Sequence, residues 1–157
     1  KVTVSFDDNL IDLVQTDVKG RTLQIYSDGS FSSRKSCKID ITVPSLETVI
    51  VSGSGDIYVQ GLKGGTFSYE ISGSGDAILA GEVDEVEIEV SGSGDVDARE
   101  LKAKRAYVEI AGSGDVMVWA SDLLDGSIAG SGDIAYYGDP AKVSRDVAGS
   151  GSIRKKP

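Results

Sequence analysis

A parallel β-solenoid is the fold this sequence predicts, and three observations predict it. A tetrapeptide recurs at an even period, aliphatic and polar residues alternate on both sides of each copy, and no stretch between copies is long enough for a crossover helix. The tetrapeptide occurs as Gly53-Ser54-Gly55-Asp56, Gly73-Ser74-Gly75-Asp76, Gly92-Ser93-Gly94-Asp95, Gly112-Ser113-Gly114-Asp115 and Gly130-Ser131-Gly132-Asp133, with the variant Gly149-Ser150-Gly151-Ser152. The copies begin at residues 53, 73, 92, 112, 130 and 149, so one coil takes about 19–20 residues. Six near-identical tetrapeptides at that spacing carry far more weight than a lone glycine motif.

Strands are read from the flanks. Two residues before each first glycine stand Val51, Ile71, Val90, Ile110, Ile128 and Val147, and directly after each fourth position stand Ile57, Ala77, Val96, Val116, Ile134 and Ile153. The alternation continues outward through Val49, Ile88 and Val108 on one side and Val59, Leu79 and Val118 on the other. Period two is the signature of strands. Each unit therefore reads as strand, Gly-Ser-Gly-Asp turn, strand, then a variable connection such as 61–65 or 99–104. Stacked coils bury a shared aliphatic face, with equivalent side chains in ladders about 4.8 Å apart. The turn glycines are expected to supply φ > 0 for a tight corner. An antiparallel sandwich with hairpins at Gly-Ser-Gly is the competing architecture; near-constant spacing and identical turns favour stacking.

Residues 1–157 are expected to form one β-solenoid domain: irregular N-terminal capping coils over 1–43, regular coils over 44–135, and a C-terminal coil and cap over 136–157. Within 1–43, the segments 2–6, 14–18, 22–26 and 38–43 alternate like strands, with loops at 7–9 and 27–30. Atypical ends keep a solenoid's last coil from templating aggregation.

Composition limits the function. The 25 acidic against 16 basic residues give a net charge of −9, which disfavours partners held through phosphate neutralisation, so no nucleic acid is expected. Histidine is absent, and with it the commonest general base and metal ligand. The single cysteine, Cys37, can form no internal disulfide and has no histidine to activate it. No apolar run approaches the roughly 20 residues of a membrane-spanning helix, and the chain opens at Lys1 as a processed chain would after loss of a signal peptide.

The Val-Ser-Gly-Ser-Gly-Asp series, the segment from Asp8 to Val14 followed by Thr22-Leu23-Gln24-Ile25, the lead-in Val43-Pro44-Ser45-Leu46-Glu47 and the ending Tyr136-Tyr137-Gly138-Asp139-Pro140 with Gly149–Arg154 together resemble one family over essentially the whole chain. It is the head-GIN-domain family, described by analogy with β-helical adhesins of the auto-transporter type. The resemblance implies a right-handed parallel β-helix in a bacterial protein of the periplasm, cell surface or secreted space. It supplies no catalytic residues to carry over.

Three groups of residues are candidates for chemistry. Asp56, Asp76, Asp95, Asp115 and Asp133 should stack one coil apart beside an outer ridge of Glu70, Glu89, Glu109 and Asp146, an oxygen-rich array of the kind that takes Ca²⁺. The structural reading has each aspartate accept free amides of its turn, with no metal and no cofactor. Carbohydrate-active enzymes of the pectinase or polysaccharide-lyase kind use acidic residues on β-helices, which makes catalysis the alternative function. Glycosidic hydrolysis needs two carboxylates in distinct environments, and a ladder of equivalents offers no such partition, so no catalytic residue is assigned. Trp119 and Tyr137 fall at equivalent outward positions on consecutive coils, with Tyr58 outward on an earlier one; they can stack on a sugar or anchor a protein, or simply shield the scaffold. The reading is a non-catalytic envelope or secreted binding module whose partner is a glycan or a surface protein, able to oligomerise.

Overall fold

The computed structural model describes residues 1–5, 11–27 and 37–157, and these divide into two compact units, Lys1–Pro44 and Ser45–Pro157. The loop expected at 7–9, the end of the first strand at Phe6, and residues 28–30 of the second expected loop lie outside the described residues.

In the first unit β1 (Val2–Ser5) pairs antiparallel with β4 (Lys38–Ile41), and β2 (Val14–Lys19) pairs antiparallel with β3 (Thr22–Ser27). The β2–β3 hairpin turns at Gly20-Arg21, with Gly20 at φ 62°, a conformation glycine adopts without steric cost. The strands read from alternation are therefore present here, joined as two-stranded antiparallel ladders.

The second unit is the solenoid. Its strands are β5 (Thr48–Gly53), β6 (Ile57–Gly73), β7 (Ala77–Gly92), β8 (Val96–Gly112), β9 (Val116–Gly130), β10 (Asp133–Tyr137), β11 (Lys142–Gly149) and β12 (Ser152–Lys155). Every pairing among them is parallel, which rules out the antiparallel sandwich. The register carries each tetrapeptide onto the next: Gly53, Gly73, Gly92, Gly112, Gly130 and Gly149 stack in one column. The connections expected as loops are strand as well, because β6 to β9 run unbroken from one corner to the next and absorb their length differences as bulges.

The aliphatic columns fill the interior as the alternation requires. Ile71, Val90, Ile110 and Ile128 form one buried column, and Ala77, Val96, Val116, Ile134 and Ile153 another. Phe67, Val86, Ala106 and Leu124 build a third, four residues before the first on the same strands. Truncating one of the large members to alanine should cost about 2–5 kcal/mol, since neighbouring coils are fixed by their own hydrogen bonds and cannot collapse into the gap. Tyr69 occupies an inward position between Val49 and Ile88 and is fully buried. Its hydroxyl has no hydrogen-bond partner among the described residues. Burial, and then the charges of Asp76 and Asp56, push its pKa up to about 12.

The two glycines of each corner serve different needs. The first has positive φ in all six copies, from 114° at Gly53 to 149° at Gly73. The second does not, contrary to the expectation that both would. From the second coil onward it is required by proximity instead: a Cβ on Gly114 would run into the carbonyl oxygen of Gly94 one coil below. The backbones meet there because the amides of Ser74, Ser93, Ser113, Ser131 and Ser150 donate to the first-glycine carbonyl of the preceding coil at 2.8–3.0 Å.

Candidate functional site

The aspartate column forms as expected, but its hydrogen bonds run between coils. The Oδ1 of Asp56 accepts the amide of Asp76 (3.0 Å), Asp76 that of Asp95 (3.1 Å), Asp95 that of Asp115 (2.8 Å) and Asp115 that of Asp133 (2.8 Å). In the last copy, where serine replaces aspartate, Ser152 donates both its amide (2.7 Å) and its hydroxyl (2.8 Å) to Asp133 Oδ1. Each carboxylate thus caps an amide of the next coil, whereas the sequence reading had it cap its own turn. Among the described residues no group of three or more acidic or cysteine side chains is disposed to hold a metal ion.

Glu70, Glu89 and Glu109 stand in one outward row on the strands leading into the corner, followed by Ser127 and Asp146. Glu87, Tyr107 and Asp125 flank them across a shallow depression. This face is strongly acidic.

The strands leaving the corner present a face of opposite character. Its first outward row reads Tyr58, Ile78, Asp97, Met117 and Ala135, with Tyr58 65% and Ile78 47% exposed. The next row brings Lys102, Trp119 and Tyr137 together on β8, β9 and β10. The two rings stand on neighbouring coils, as alternation predicted, each half-buried. Tyr58 shares the face but lies in the adjoining row, three coils from Trp119, about 14 Å along the stack.

Sequence reasoning missed the cations at this site. Between Ala98 and Lys102 the strand β8 carries three residues with no counterpart on β9, so simple counting could not place Lys102 beside Trp119. Its ammonium rests 4.7 Å from the centre of the indole ring and donates to the Arg99 carbonyl at 3.2 Å. Arg99, in the bulge, grips Asp97 through Nε (2.9 Å) and Nη2 (2.6 Å). That pairing holds the Asp97 carboxyl below its usual range, and Asp97 first, then Tyr137, raises the Arg99 pKa. On the far side Gly138, at φ 87°, brings its backbone against the indole: a Cβ there would lie 3.2 Å from Trp119 Cε2. Trp119 is thereby fixed between a lysine and a backbone turn.

The arrangement presents aromatic faces and charge for binding. Comparison with known proteins is consistent with that. The family described as "Putative auto-transporter adhesin, head GIN domain" matches residues 1–140. A "putative adhesin" from Bacteroides fragilis superposes with a TM-score of 0.81 at 26% identity, covering 99% of this chain and 82% of that one. A "putative lipid binding protein" from Parabacteroides distasonis gives 0.61 at 29% identity, over 99% and 84%. A "putative adhesin" from the same species, at 22% identity and 0.57, shares the fold over 99% and 83%. No functionally curated protein matches significantly. With 140 of its 157 residues matched and the β-solenoid shared with the solved relatives, this chain belongs to the head-GIN-domain family.

Proposed function

We propose that this domain is a non-catalytic binding module of the bacterial envelope, at the cell surface, in the periplasm or secreted, and that it engages its ligand through the face bearing Tyr58, Trp119 and Tyr137. The observation that carries the reading is the registered pair Trp119 and Tyr137 beside Lys102 on a chain whose other open sheet face is acidic. Side chains on successive coils are held at a fixed spacing, so a ligand with its own repeat meets several at once. The adhesin descriptions of the family and of its solved relatives support this class of function. The relative described as lipid binding makes an acyl-bearing ligand a necessary arm of the test.

The test is a screen of the purified domain against glycan and surface-protein arrays and liposomes, with and without calcium. Trp119→Ala and Tyr137→Ala should abolish the binding found while leaving the circular dichroism spectrum intact. Release of reducing ends or unsaturated uronates from a polysaccharide panel, in proportion to protein added, would overturn the non-catalytic reading.

A further inference from the structure

We infer that the ligand of the Trp119 face is an acidic glycan, with Lys102 as its anion contact and Trp119 as the ring on which a sugar stacks. The inference rests on the proposed binding face and specifies its ligand. The solenoid unit, residues 45–157, carries 19 acidic and ten basic side chains. Four of those ten, Arg99, Lys102, Lys104 and Arg105, fall within seven residues of β8, and Lys102 stands beside the chain's single tryptophan.

Three of the four are already neutralised. Arg99 pairs with Asp97 at 2.6 Å, Lys104 with Asp84 at 2.7 Å and Arg105 with Glu85 at 2.9 Å. Lys102 has no carboxylate partner among the described residues; its ammonium lies on the indole and on one backbone carbonyl. The opposite pattern, a lysine turned to the acid-rich surroundings, was open to it, because Glu82 is its register partner on β7.

A cation held on an aromatic ring is a two-part receptor. The indole accepts the apolar C–H face of a sugar, and the ammonium, already oriented and only one hydrogen bond committed, meets a carboxylate or sulfate on that sugar. Tyr137 is the next ring, one coil away and in register with Trp119. The negative charge of the acidic face does not forbid a polyanion here, because at physiological salt the field of exposed charges decays over about 8 Å. A purely acidic peptide such as polyglutamate would satisfy Lys102 but has no ring to lay on Trp119, whereas each unit of an acidic glycan carries both a C–H face and a charge.

The experiment is isothermal titration calorimetry of the full chain with oligogalacturonate, alginate and hyaluronate oligomers, a neutral galacto-oligosaccharide, and polyglutamate. At least one acidic glycan should bind about tenfold more tightly than the neutral one, with affinity falling as salt rises. Lys102→Gln should remove that preference, Lys102→Arg should retain it, and Lys142→Gln should change nothing. Trp119→Ala should abolish glycan binding altogether. Equal binding of acidic and neutral glycans, unaffected by Lys102→Gln but lost in Trp119→Ala, would overturn the acidic assignment and leave the binding face standing. Acidic-glycan binding that survives Trp119→Ala would overturn both. Polyglutamate binding as tight as that of any glycan, or no binding by any acidic glycan, also overturns the inference.

Discussion

The two kinds of corner glycine can be separated by four single substitutions to alanine. Gly55 has neither positive φ nor any atom within 4 Å of a built Cβ, so Gly55→Ala should be neutral or stabilise by up to about 1 kcal/mol through a less flexible unfolded chain. Gly53 has φ 114° but open space, so Gly53→Ala carries backbone strain alone, about 1–2 kcal/mol. Gly114 has no positive φ, but its Cβ would strike the Gly94 carbonyl and lie 3.0 Å from Val90 Cγ1. A backbone oxygen cannot swing away as a side chain does, so Gly114→Ala should cost about 1–3 kcal/mol as an overpacking change. Gly112, at φ 145° and against the Gly92 carbonyl, combines both effects and should lose about 2–5 kcal/mol. For a chain of this size each kcal/mol moves the melting temperature by about 2–4 °C, so calorimetry should rank the variants Gly55, Gly53, Gly114, Gly112, with the last two or three melting measurably lower. Equal melting temperatures for Gly55→Ala and Gly114→Ala would refute the argument that close approach between coils dictates the second glycine.

Further outcomes follow from the same hydrogen bonds and burial. Asp115→Ala leaves the Asp133 amide without its carboxylate and should cost about 1 kcal/mol, while Asp115→Asn, which keeps an acceptor oxygen, should cost less; urea titration compares them. Chelator should leave the melting temperature unchanged, and a rise of several degrees with millimolar calcium, lost in the double variant Asp95→Asn with Asp115→Asn, would show that the column holds metal after all. Tyr69→Phe removes a buried hydroxyl that has no partner and should stabilise the fold by about 1 kcal/mol. Because the folded-state pKa of Tyr69 is raised from 10.0 to about 12, its contribution is fully present below pH 10 and is lost as pH climbs towards 12. Melting temperatures across that window should therefore fall more steeply in the parent than in Tyr69→Phe.

Much of the solenoid was legible because its physics is periodic. Val51, Ile71, Val90, Ile110, Ile128 and Val147 could be aligned by counting from the glycines, and they stack in that order. What escaped was whatever depends on a neighbour in the next coil. The sequence around Gly61–Gly65 looks like a loop, yet it remains strand because its amides and carbonyls are paired with β7. Gly53 and Gly55 look interchangeable in one dimension, and only stacking reveals that one answers to dihedral angle and the other, in later coils, to distance. Lys102 was hidden by a three-residue bulge that changes the count on one strand alone. In the first 44 residues the strands were readable from alternation, but their antiparallel partners were not, since no repeat there labels equivalent positions.

The one-way character of the aspartate column bears on how such a protein changes its length over generations. From Asp76 to Asp133 each Gly-Ser-Gly-Asp corner receives an amide from the following coil and delivers its own to the preceding one, so an internal duplication of one 20-residue period, such as 96–115, arrives with both halves of its bonding pattern intact. A copy appended after Ser152 meets only a hydroxyl already turned back to Asp133. Gene duplication within the array is thus the tolerated route to a longer molecule, and the serine variant marks the coil beyond which the corner offers no carboxylate to build on.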